Sequence, residues 1–294
     1  MKIKELFDTK KTVISLEIFP PKWDSPIETV LKTLDELKDI SPDFISVTYG
    51  AGGKAKDRTI EIASKIKNEY NIESLAHLTC ISATKKQIGE CLDELRSHNI
   101  ENILAMRGDI PEDPDFEFPE PLQYKYAADL IREVKAEGYF CIGAACYPEG
   151  HVECESKIKD VKYLRDKVSM GVDFLITQLF FDNELFFRFM EELDLAGITV
   201  PVSAGIMPVL NKNQIERMTK LSGCHLPNKM KRILERYEHN PAALKEAGEA
   251  YAIEQVIDLI TWGVRGIHLY TMNKPDTAKR IIGNLLNIRK LQNS

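Results

Sequence analysis

The sequence has no segment that would place it in a membrane and no concentration of positive charge. It contains no run of about 18 consecutive apolar residues, and the amino-terminal segment 1–6 lacks the apolar core of a signal peptide. The 39 basic and 45 acidic residues give a formal net charge of −6 without a basic block, so no electrostatic footprint for nucleic acid is visible. We therefore expect a cytoplasmic protein that acts on a small molecule and binds neither membrane nor nucleic acid.

The six cysteines form no CxxC pair, which argues against a disulfide framework and against a zinc ribbon. Cys141, Cys146 and Cys154 lie near His151 in the sequence, but their spacing matches no common metal site. We expect reduced thiols and no bound metal, with this group of four as the one place where a metal could be held.

The sequence also lacks a Gly/Ser linker, a low-complexity tract or a change of composition that would divide the chain. Its 44% hydrophobic and 29% charged residues are typical of a globular protein with a full core. These features predict one domain over residues 1–294, a length that suits one large α/β barrel.

Short runs rich in strand-forming residues alternate with amphipathic runs along the whole chain, which is the pattern of parallel βα units. The predicted strands lie near residues 13–18, 44–48, 74–79, 102–106, 139–145, 173–178, 200–205 and 266–270. The predicted helices lie near residues 26–39, 57–69, 84–97, 124–137, 156–170, 183–194, 211–221, 229–263 (a longer stretch) and 275–290. Eight such units predict a single-domain (β/α)8 TIM barrel rather than an open doubly wound sheet.

Several predicted strands end in polar side chains, and in such a barrel the carboxyl ends of the strands meet at one mouth, where ligands bind. Glu17 ends the first strand beside Ile18 and Phe19, where partial burial favours a protonated carboxyl and suits a general acid. A strand-end glutamate paired with a lysine such as Lys22 explains the residue equally well. His77 in the third strand could bind a ligand, although a lone strand histidine is more often a core residue.

The fourth strand runs into Arg107, Gly108 and Asp109: a cation that can bind phosphate, a residue that lets the backbone approach a ligand, and a carboxylate. The two charges could also pair with each other. The glycine-rich turn 48–53 offers backbone N–H groups to an anion or a flat ring, but it lacks the GxGxxG spacing of a dinucleotide fingerprint. The proline-rich, acidic segment 110–121 is a candidate lid over the mouth.

Small and aromatic residues follow each other at the end of the fifth strand. Ala144 and Ala145 would let a planar ring lie against the barrel near Tyr147, although small residues also suit tight interior packing. Gln178, at the tip of the sixth strand and followed by aromatic residues, suits hydrogen bonding to a heterocycle. Lys167 lies on a predicted helix, where a lysine is normally a solvated charge.

Six blocks at successive strand ends together resemble one known family, the methylenetetrahydrofolate reductases. The blocks are LEIFPP at 16–21, VTYGAG at 47–52, HLTC at 77–80, LAMRGD at 104–109, YPEGH at 147–151 and ITQ at 176–178. They follow the family's order over nearly the whole chain. The chain is expected to correspond to the short bacterial form, because it ends after the predicted barrel and has no regulatory domain.

The resemblance implies a barrel with non-covalently bound FAD. In this family a nicotinamide donor reduces the flavin and leaves, and the flavin then reduces 5,10-methylenetetrahydrofolate to 5-methyltetrahydrofolate in a ping-pong sequence. By the same resemblance, Glu17 would be the acid that opens the five-membered ring of the folate to an iminium. Asp109 would lie beside the flavin and the folate, where its charge would tune the flavin and stabilise that cation.

The resemblance also carries binding roles to other positions. The positions that match cofactor-binding residues are Thr48, His77, Arg107, Gly108, Asp109, Tyr126, Ala145, Tyr147, His151, Asp160 and Lys167. The positions that match substrate-binding residues are Glu17, Gln178, Gln214, Met218, Tyr270 and Lys274. Met218 replaces an aromatic residue that often stacks on substrate, and Lys274 replaces an arginine that contacts the folate tail. Methionine can still pack on a ring and lysine can still pair with a carboxylate.

Two rival functions remain open from the sequence. A folate-binding methyltransferase barrel would move a methyl group without redox chemistry and without a flavin. A flavin-containing subunit of a larger electron-transfer complex would keep the cofactor, although the presence of both Glu17 and Asp109 argues against a catalytically inactive subunit. The expected partners are methylenetetrahydrofolate and a nicotinamide or protein electron donor, in a homo-oligomer or as a subunit of a hetero-oligomer.

Overall fold

The chain folds into a closed barrel of parallel strands. The computed structural model describes residues 1–21, 25–49, 55–110 and 116–292. The strands pair in chain order, and the last strand closes the ring by pairing with the first. They are β1 Val13–Ile18, β2 Phe44–Val47, β3 Glu73–Thr79, β4 Asn102–Met106, β5 Cys141–Cys146, β6 Phe174–Thr177, β7 Val202–Ile206 and β8 Gly266–Tyr270. The predicted (β/α)8 TIM barrel is confirmed.

Helices surround the barrel, and one short helix precedes β1. They are α1 Ile3–Thr9, α2 Glu28–Leu37, α3 Ala55–Asn68, α4 Lys85–Ser97, α5 Ala127–Ala136, α6 Lys157–Ser169, α7 Asn183–Leu195, α8 Lys212–Ser222, α9 Asn228–Tyr237, α10 Pro241–Trp262, α11 Pro275–Gly283 and α12 Leu286–Gln292. A 3-10 helix, Lys38–Ile40, extends α2. Within the described residues, no helix is long and apolar enough to cross a membrane.

Three of the predicted strands, 13–18, 102–106 and 266–270, have the observed bounds, and the other five differ by one or two residues at an end. The longer helical stretch predicted over 229–263 consists of two helices, because Asn240 caps a new helix that begins with Pro241. The helix predicted over 275–290 is also two, α11 and α12.

The prediction missed α1, whose seven residues are too few to give a periodic signal. This helix covers the amino-terminal end of the barrel, and its apolar side chains pack against those in the barrel interior. The residues of this apolar cluster are Ile3, Leu6, Phe7, Val13, Phe44, Leu75, Leu104, Cys141, Phe174 and Ile176. Alternate residues of a strand face the same side, so the face of β1 that carries Val13 next carries Ser15 and Glu17. The interior therefore changes from apolar to polar toward the carboxyl ends of the strands.

The opposite face of the sheet packs against the helices. Leu16 and Ile45 from the strands share one buried apolar cluster with Leu34, Ile66 and Leu92 from the helices. Removal of this apolar surface from water is the dominant favourable contribution to folding. The strands are consequently held on both faces, and their carboxyl ends present polar side chains from a rigid frame.

Asn102 connects α1 to the barrel and generates a first prediction. Its buried side chain accepts a hydrogen bond from the Ile3 N–H at 2.7 Å and donates to the carbonyls of Met1 and Ser74 at 3.3 and 3.2 Å. We predict that Asn102→Ala lowers the free energy of unfolding, measured by urea denaturation, by about 2–4 kcal/mol, because several backbone groups lose their partner.

Asn68→Ala is the matched control for this measurement. Asn68 is exposed and also makes two side-chain hydrogen bonds, to Ser64 and to the His98 carbonyl. Asn68→Ala should lower the free energy of unfolding by less than about 1 kcal/mol, as for most surface substitutions. Equal losses in the two variants would contradict the role assigned to Asn102.

Candidate active site

Glu17 lies near the carboxyl end of β1 and places its carboxyl group between two histidines. Its Oε2 atom is 3.6 Å from Nε2 of His77 in β3 and 3.5 Å from Nε2 of His268 in β8. All three residues are buried. Lys22, the alternative partner that the sequence allowed, lies outside the described residues. The structure thus brings Glu17 and His77 together inside the barrel near the carboxyl ends of β1 and β3, as expected for residues that face one mouth.

The loop after β8 fixes the backbone on both sides of this carboxyl group. The Thr271 hydroxyl donates to the carbonyl of Glu17 at 2.6 Å. Asn273 accepts from the Phe19 N–H and donates to the Phe19 carbonyl, both at 2.9 Å. The φ angle of Asn273 is 53°, in the left-handed region that asparagine adopts more readily than most residues. Side-chain hydrogen bonds therefore continue the β1–β8 pairing past the end of the sheet.

His268 was not among the predicted site residues. Its Nδ1 atom is 2.8 Å from Oγ of Ser15, and its ring stacks on Phe44 with centroids 6.1 Å apart. Its Nε2 atom also lies 3.4 Å from Oγ of Ser46. Strand alternation could have found it, because His268 precedes Tyr270 by two positions and so faces the same side of β8.

His77 is not a satisfied core histidine. Burial lowers the pKa of His77 to about 4, although the nearby Glu17 carboxylate opposes this shift. Its Nε2 atom is buried and has no hydrogen-bond partner among the described residues. Because buried polar atoms are nearly always paired, such an atom at a strand end is a candidate contact for a ligand.

Tyr270 extends from β8 across the mouth to β6. Its hydroxyl donates to the carbonyl of Thr177 at 2.7 Å. Burial raises the pKa of Tyr270 well above its ordinary value, and the charge of Glu17 adds to the shift. A Cβ atom at Gly205 in β7 would lie 2.8 Å from this hydroxyl and 2.4 Å from the Thr177 carbonyl oxygen. Only glycine at position 205 leaves room for the bond between Tyr270 and β6.

Arg107 lies at the end of β4 and is paired with a residue of the next loop. Its Nη1 and Nη2 atoms both donate to Glu153 in the loop after β5, the latter over 3.1 Å. This ion pair lowers the pKa of Glu153. Gly108 has a φ of +84°, and a Cβ atom there would lie 2.8 Å from Cβ of Thr79. Asp109 is exposed beyond this turn.

Lys167 is partly buried, so the sequence-based expectation of a solvated charge was wrong. Its Nζ atom donates to the carbonyl of Ala145 at 2.6 Å, and burial lowers the pKa of Lys167. Burial raises the pKa of Asp160, although the His151 N–H donates to it at 3.3 Å and opposes the shift. The ring of Tyr147 meets that of His151 edge to face, with centroids 4.6 Å apart. These five residues form one contiguous group between β5 and α6.

The remaining candidate residues lie around this centre. The Thr48 carbonyl accepts a hydrogen bond from the Thr59 hydroxyl at 2.9 Å. The Gln178 side-chain oxygen accepts from the Leu179 N–H, also at 2.9 Å. Tyr126 is exposed immediately before α5.

Three further candidates lie on helices beyond the strand ends. Gln214 is in the first turn of α8, and Met218 on the same helix packs against an apolar cluster of that side of the barrel. Lys274 is exposed and precedes the first residue of α11. No hydrogen bond in the described part of the chain connects these three side chains to Glu17, so their grouping with it rests on the family resemblance.

The candidate lid, 110–121, is described in part, because residues 111–115 lie outside the described residues, as do residues 50–53 of the glycine-rich turn. Ile110, Phe118 and Leu122 line a cleft of about 730 Å³ together with Ile81, which follows β3. The segment therefore borders an apolar cleft beside the strand ends, while closure over the mouth stays a prediction.

The cysteines near His151 do not assemble a metal site. All six cysteines of the chain are unpaired, and burial raises the pKa of Cys141 and of Cys146 to about 12. Over residues 1–21, 25–49, 55–110 and 116–292, no three His, Cys, Asp or Glu side chains are placed to hold a metal ion. The metal alternative drawn from their sequence spacing therefore has no support in that part of the chain.

A (β/α)8 barrel with a buried acid and paired cations at its strand ends belongs to the class of barrels that bind ligands at this mouth. The chain belongs to the methylenetetrahydrofolate reductase family, whose sequence pattern matches residues 2–286. The family resemblance inferred from the strand-end motifs is thereby confirmed.

Relatives of two lengths match the chain. It is 34% identical over 295 residues to Methylenetetrahydrofolate reductase (NADH) 1 of Arabidopsis thaliana, covering 97% of this chain and 50% of the plant protein. It is 35% identical over 275 residues to 5,10-methylenetetrahydrofolate reductase of Pectobacterium carotovorum, covering 92% of this chain and 89% of that protein. The chain thus spans about half the length of the plant relative and most of the bacterial one.

Among solved structures, the chain is similar to an uncharacterized protein from Clostridium thermocellum that binds two copies of 5-methyl-5,6,7,8-tetrahydrofolic acid. The TM-score is 0.67 at 14% identity, covering 99% of this chain and all of that one. At this identity the likeness supports the barrel fold.

The neutral state of His77 predicts a specific pH dependence of stability. The unfolded chain binds a proton at His77 near pH 6.5, whereas the folded protein does so only near pH 4. Protonation therefore favours the unfolded state as the pH falls through this window, and stability drops. From pH 7 to pH 4.5 the free energy of unfolding should fall in both proteins. We predict that it falls less in His77→Gln than in the wild type, by on the order of 2 kcal/mol.

Urea denaturation across this pH range measures the effect. His239→Gln is the matched control, because His239 is exposed and should leave the slope of stability against pH unchanged. Identical slopes for His77→Gln and the wild type would mean that His77 is protonated in the folded protein near its ordinary pKa.

Proposed function

We propose that the protein catalyses the FAD-dependent reduction of 5,10-methylenetetrahydrofolate to 5-methyltetrahydrofolate, by ping-pong transfer from a reduced nicotinamide or a protein donor. The observation that carries this proposal is the buried carboxyl group of Glu17 at the barrel mouth, between two histidines. Family membership over residues 2–286 supports the same activity. The names of the bacterial and plant relatives and the folate ligand of the Clostridium thermocellum protein agree with it.

The residues at the mouth fit a flavin dinucleotide. Arg107 and Lys167 supply two cations on the β4–β5 side, where a pyrophosphate needs them. Ala145 and Tyr147 offer a small and a flat surface for a ring, and the unpartnered Nε2 atom of His77 can hydrogen-bond a heterocycle. When bound, FAD supplies the two-electron carrier between the donor and the folate.

Glu17 is assigned to the folate. The product keeps its new methyl group on N5, so the bond that breaks is the one from the bridging carbon to N10, and N10 must receive a proton as it leaves. Glu17 Oε2 lies between two histidine rings, of which His77 is neutral near pH 7, and a proton on this oxygen can be donated to N10. The resulting cation then accepts a hydride at its exocyclic carbon.

The other candidate residues take supporting roles in this proposal. The negative charge of Asp109, exposed at the rim, stabilises the cationic folate and disfavours a negatively charged reduced ring nearby. Gln178, Gln214, Met218 and Tyr270 surround the pterin. Lys274, exposed before α11, pairs with the glutamate carboxylates of the folate tail.

We predict that Arg107→Ala weakens flavin binding by at least about tenfold, because a charge-assisted phosphate contact contributes on the order of 1.5–3 kcal/mol. Titration of the apoprotein with FAD, followed by quenching of flavin fluorescence, measures the dissociation constant. Arg165→Ala is the matched control, since Arg165 is an exposed arginine on α6 and should leave binding unchanged. A well-folded wild type that neither retains nor rebinds any flavin would exclude this function and favour a methyltransferase barrel.

The variant Glu17→Gln separates the two half-reactions. The acid is needed only to open the folate ring, so reduction of the flavin by its donor should stay within a few-fold of the wild type. Reoxidation of the reduced flavin by methylenetetrahydrofolate should fall by at least about 10²-fold, the lower end of general acid catalysis. Anaerobic stopped-flow absorbance in single turnover measures each step.

The donor half-reaction of the same variant is its internal control. If Glu17→Gln reoxidises with folate at the wild-type rate, the proton comes from another group and Glu17 is structural. If the wild type accepts electrons but no folate oxidises it, the chain is an electron-relaying subunit.

A further inference from the structure

Between β7 and β8 the chain forms three helices, α8, α9 and α10, where one helix would complete a βα unit. The last of them, α10, contacts the segments that follow three successive strands: 178–182 after β6, 207–211 after β7 and 271–280 after β8. We call these the substrate-side segments, because the positions that match substrate-binding residues in the family lie in them or next to them. Each of the three contacts is made by a different residue of α10.

Two side chains of α10 bind the backbone of the segment after β6. The Tyr251 hydroxyl donates to the carbonyl of Phe181 at 2.5 Å. The side-chain amide of Gln255, a buried residue, donates to the carbonyl of Phe180 at 3.0 Å. Because a backbone carbonyl buried without a donor is costly, these two bonds fix the path of the chain just after Gln178.

The segment after β7 is in backbone contact with α10. A Cβ atom at Gly248 would lie 1.8 Å from the carbonyl oxygen of Val209, so any side chain at this position would force the helix or the segment to move. The segment continues directly into α8, which carries Gln214 and Met218. The distance between α10 and the start of α8 is therefore set by the absence of a side chain at position 248.

The segment after β8 is held by a buried carboxyl group. Glu249 accepts a hydrogen bond from the Thr277 hydroxyl at 2.8 Å, and its Oε2 atom lies 3.1 Å from Nη1 of Arg280. Glu249 and Thr277 are both buried. Thr277 is in the first turn of α11, three positions after Lys274, so this contact fixes the end of the helix that Lys274 precedes.

An apolar cluster joins the same segments to α10. Among its members are Leu179 and Phe181 after β6, Met207 and Val209 after β7, and Leu244 in α10, and Met272 after β8 packs against it. The three segments thus share their apolar contacts as well as their polar ones. A movement of one of them disturbs the packing of the other two.

We propose that α10 is the positioning helix of the substrate side: through Gly248, Glu249, Tyr251 and Gln255 it holds the three substrate-side segments as one unit, so that the loss of one contact loosens all three. Between described residues, no hydrogen bond or ion pair joins α10 to the loops after β4 and β5. The coupling of the segments does not depend on the reaction. Its consequence for folate affinity rests on the function proposed above.

Hydrogen-exchange mass spectrometry of the full-length protein tests the coupling. Tyr251→Phe removes only the hydroxyl that donates to the Phe181 carbonyl. We expect amide exchange to become about threefold faster or more in all three substrate-side segments, because segments that form one cooperative unit open together. Thr277→Val removes the contact after β8 and should give the same pattern, whereas Thr277→Ser keeps the hydroxyl and should exchange like the wild type.

Tyr124→Phe is the matched control. Tyr124 is also buried, and its hydroxyl donates at 2.5 Å to Glu133 in α5, the helix after β4. Its loss should leave exchange in the three segments unchanged. Faster exchange confined to the segment that lost its contact would overturn the proposal, and so would equal effects of Tyr124→Phe and Tyr251→Phe. If Tyr251→Phe does not fold, Thr277→Val decides.

A second measurement tests the consequence for the ligand. The flavin-loaded protein, kept reduced without oxygen, is titrated calorimetrically with 5-methyltetrahydrofolate, which a reduced flavin cannot oxidise. We expect the dissociation constant to rise about threefold or more in Tyr251→Phe and in Thr277→Val, with flavin binding unchanged. Coupled exchange with wild-type folate affinity would overturn the positioning role. A wild type that binds no 5-methyltetrahydrofolate would overturn the proposed function, while coupled exchange would still support the unit formed by α10.

Discussion

Glu17 brings a carboxyl group into a part of the barrel from which water is largely excluded, and burial of such a group is costly unless polar neighbours face it. The neighbours here are two histidine rings, and no lysine or arginine in the described part of the chain pairs with Glu17. A buried pair with lysine or arginine would hold the carboxylate ionised. The hydroxyl groups of Ser15 and Ser46 lie beside the ring of His268.

The rest of the fold supports that arrangement. The amino-terminal end of the interior is filled by phenylalanine and aliphatic side chains, some of which belong to α1. At the other end, Thr271 and Asn273 bind the backbone around Glu17 and continue the β1–β8 seam beyond the last ladder pair. The carboxyl group is thus fixed by two strands and a loop, and its position does not depend on one flexible side chain.

The sequence predicted the strands well because their polar tips interrupt strongly apolar runs, as in the run 102–106 before Arg107. It also placed Glu17 and His77 at one mouth, since the carboxyl ends of parallel barrel strands meet there, and the family resemblance added Tyr270. It could not predict the partners of Arg107 and Lys167. The pairing of Arg107 with Glu153 depends on the path of the loop after β5, and the bond from Lys167 to the Ala145 carbonyl depends on how α6 packs against β5. His268 was missed because a lone histidine inside a strand is more often a core residue, although alternation from Tyr270 places it on the same face of β8.

The mouth is divided into two halves of different electrostatic character. On the β4–β5 side the ionisable groups are paired, Arg107 with Glu153 and Lys167 near Asp160, so a ligand phosphate that binds there must share or replace a carboxylate. Around Glu17, His77 and Tyr270 are neutral at physiological pH. In the proposed reaction, an anionic cofactor would bind in the first half and the acid would act in the second.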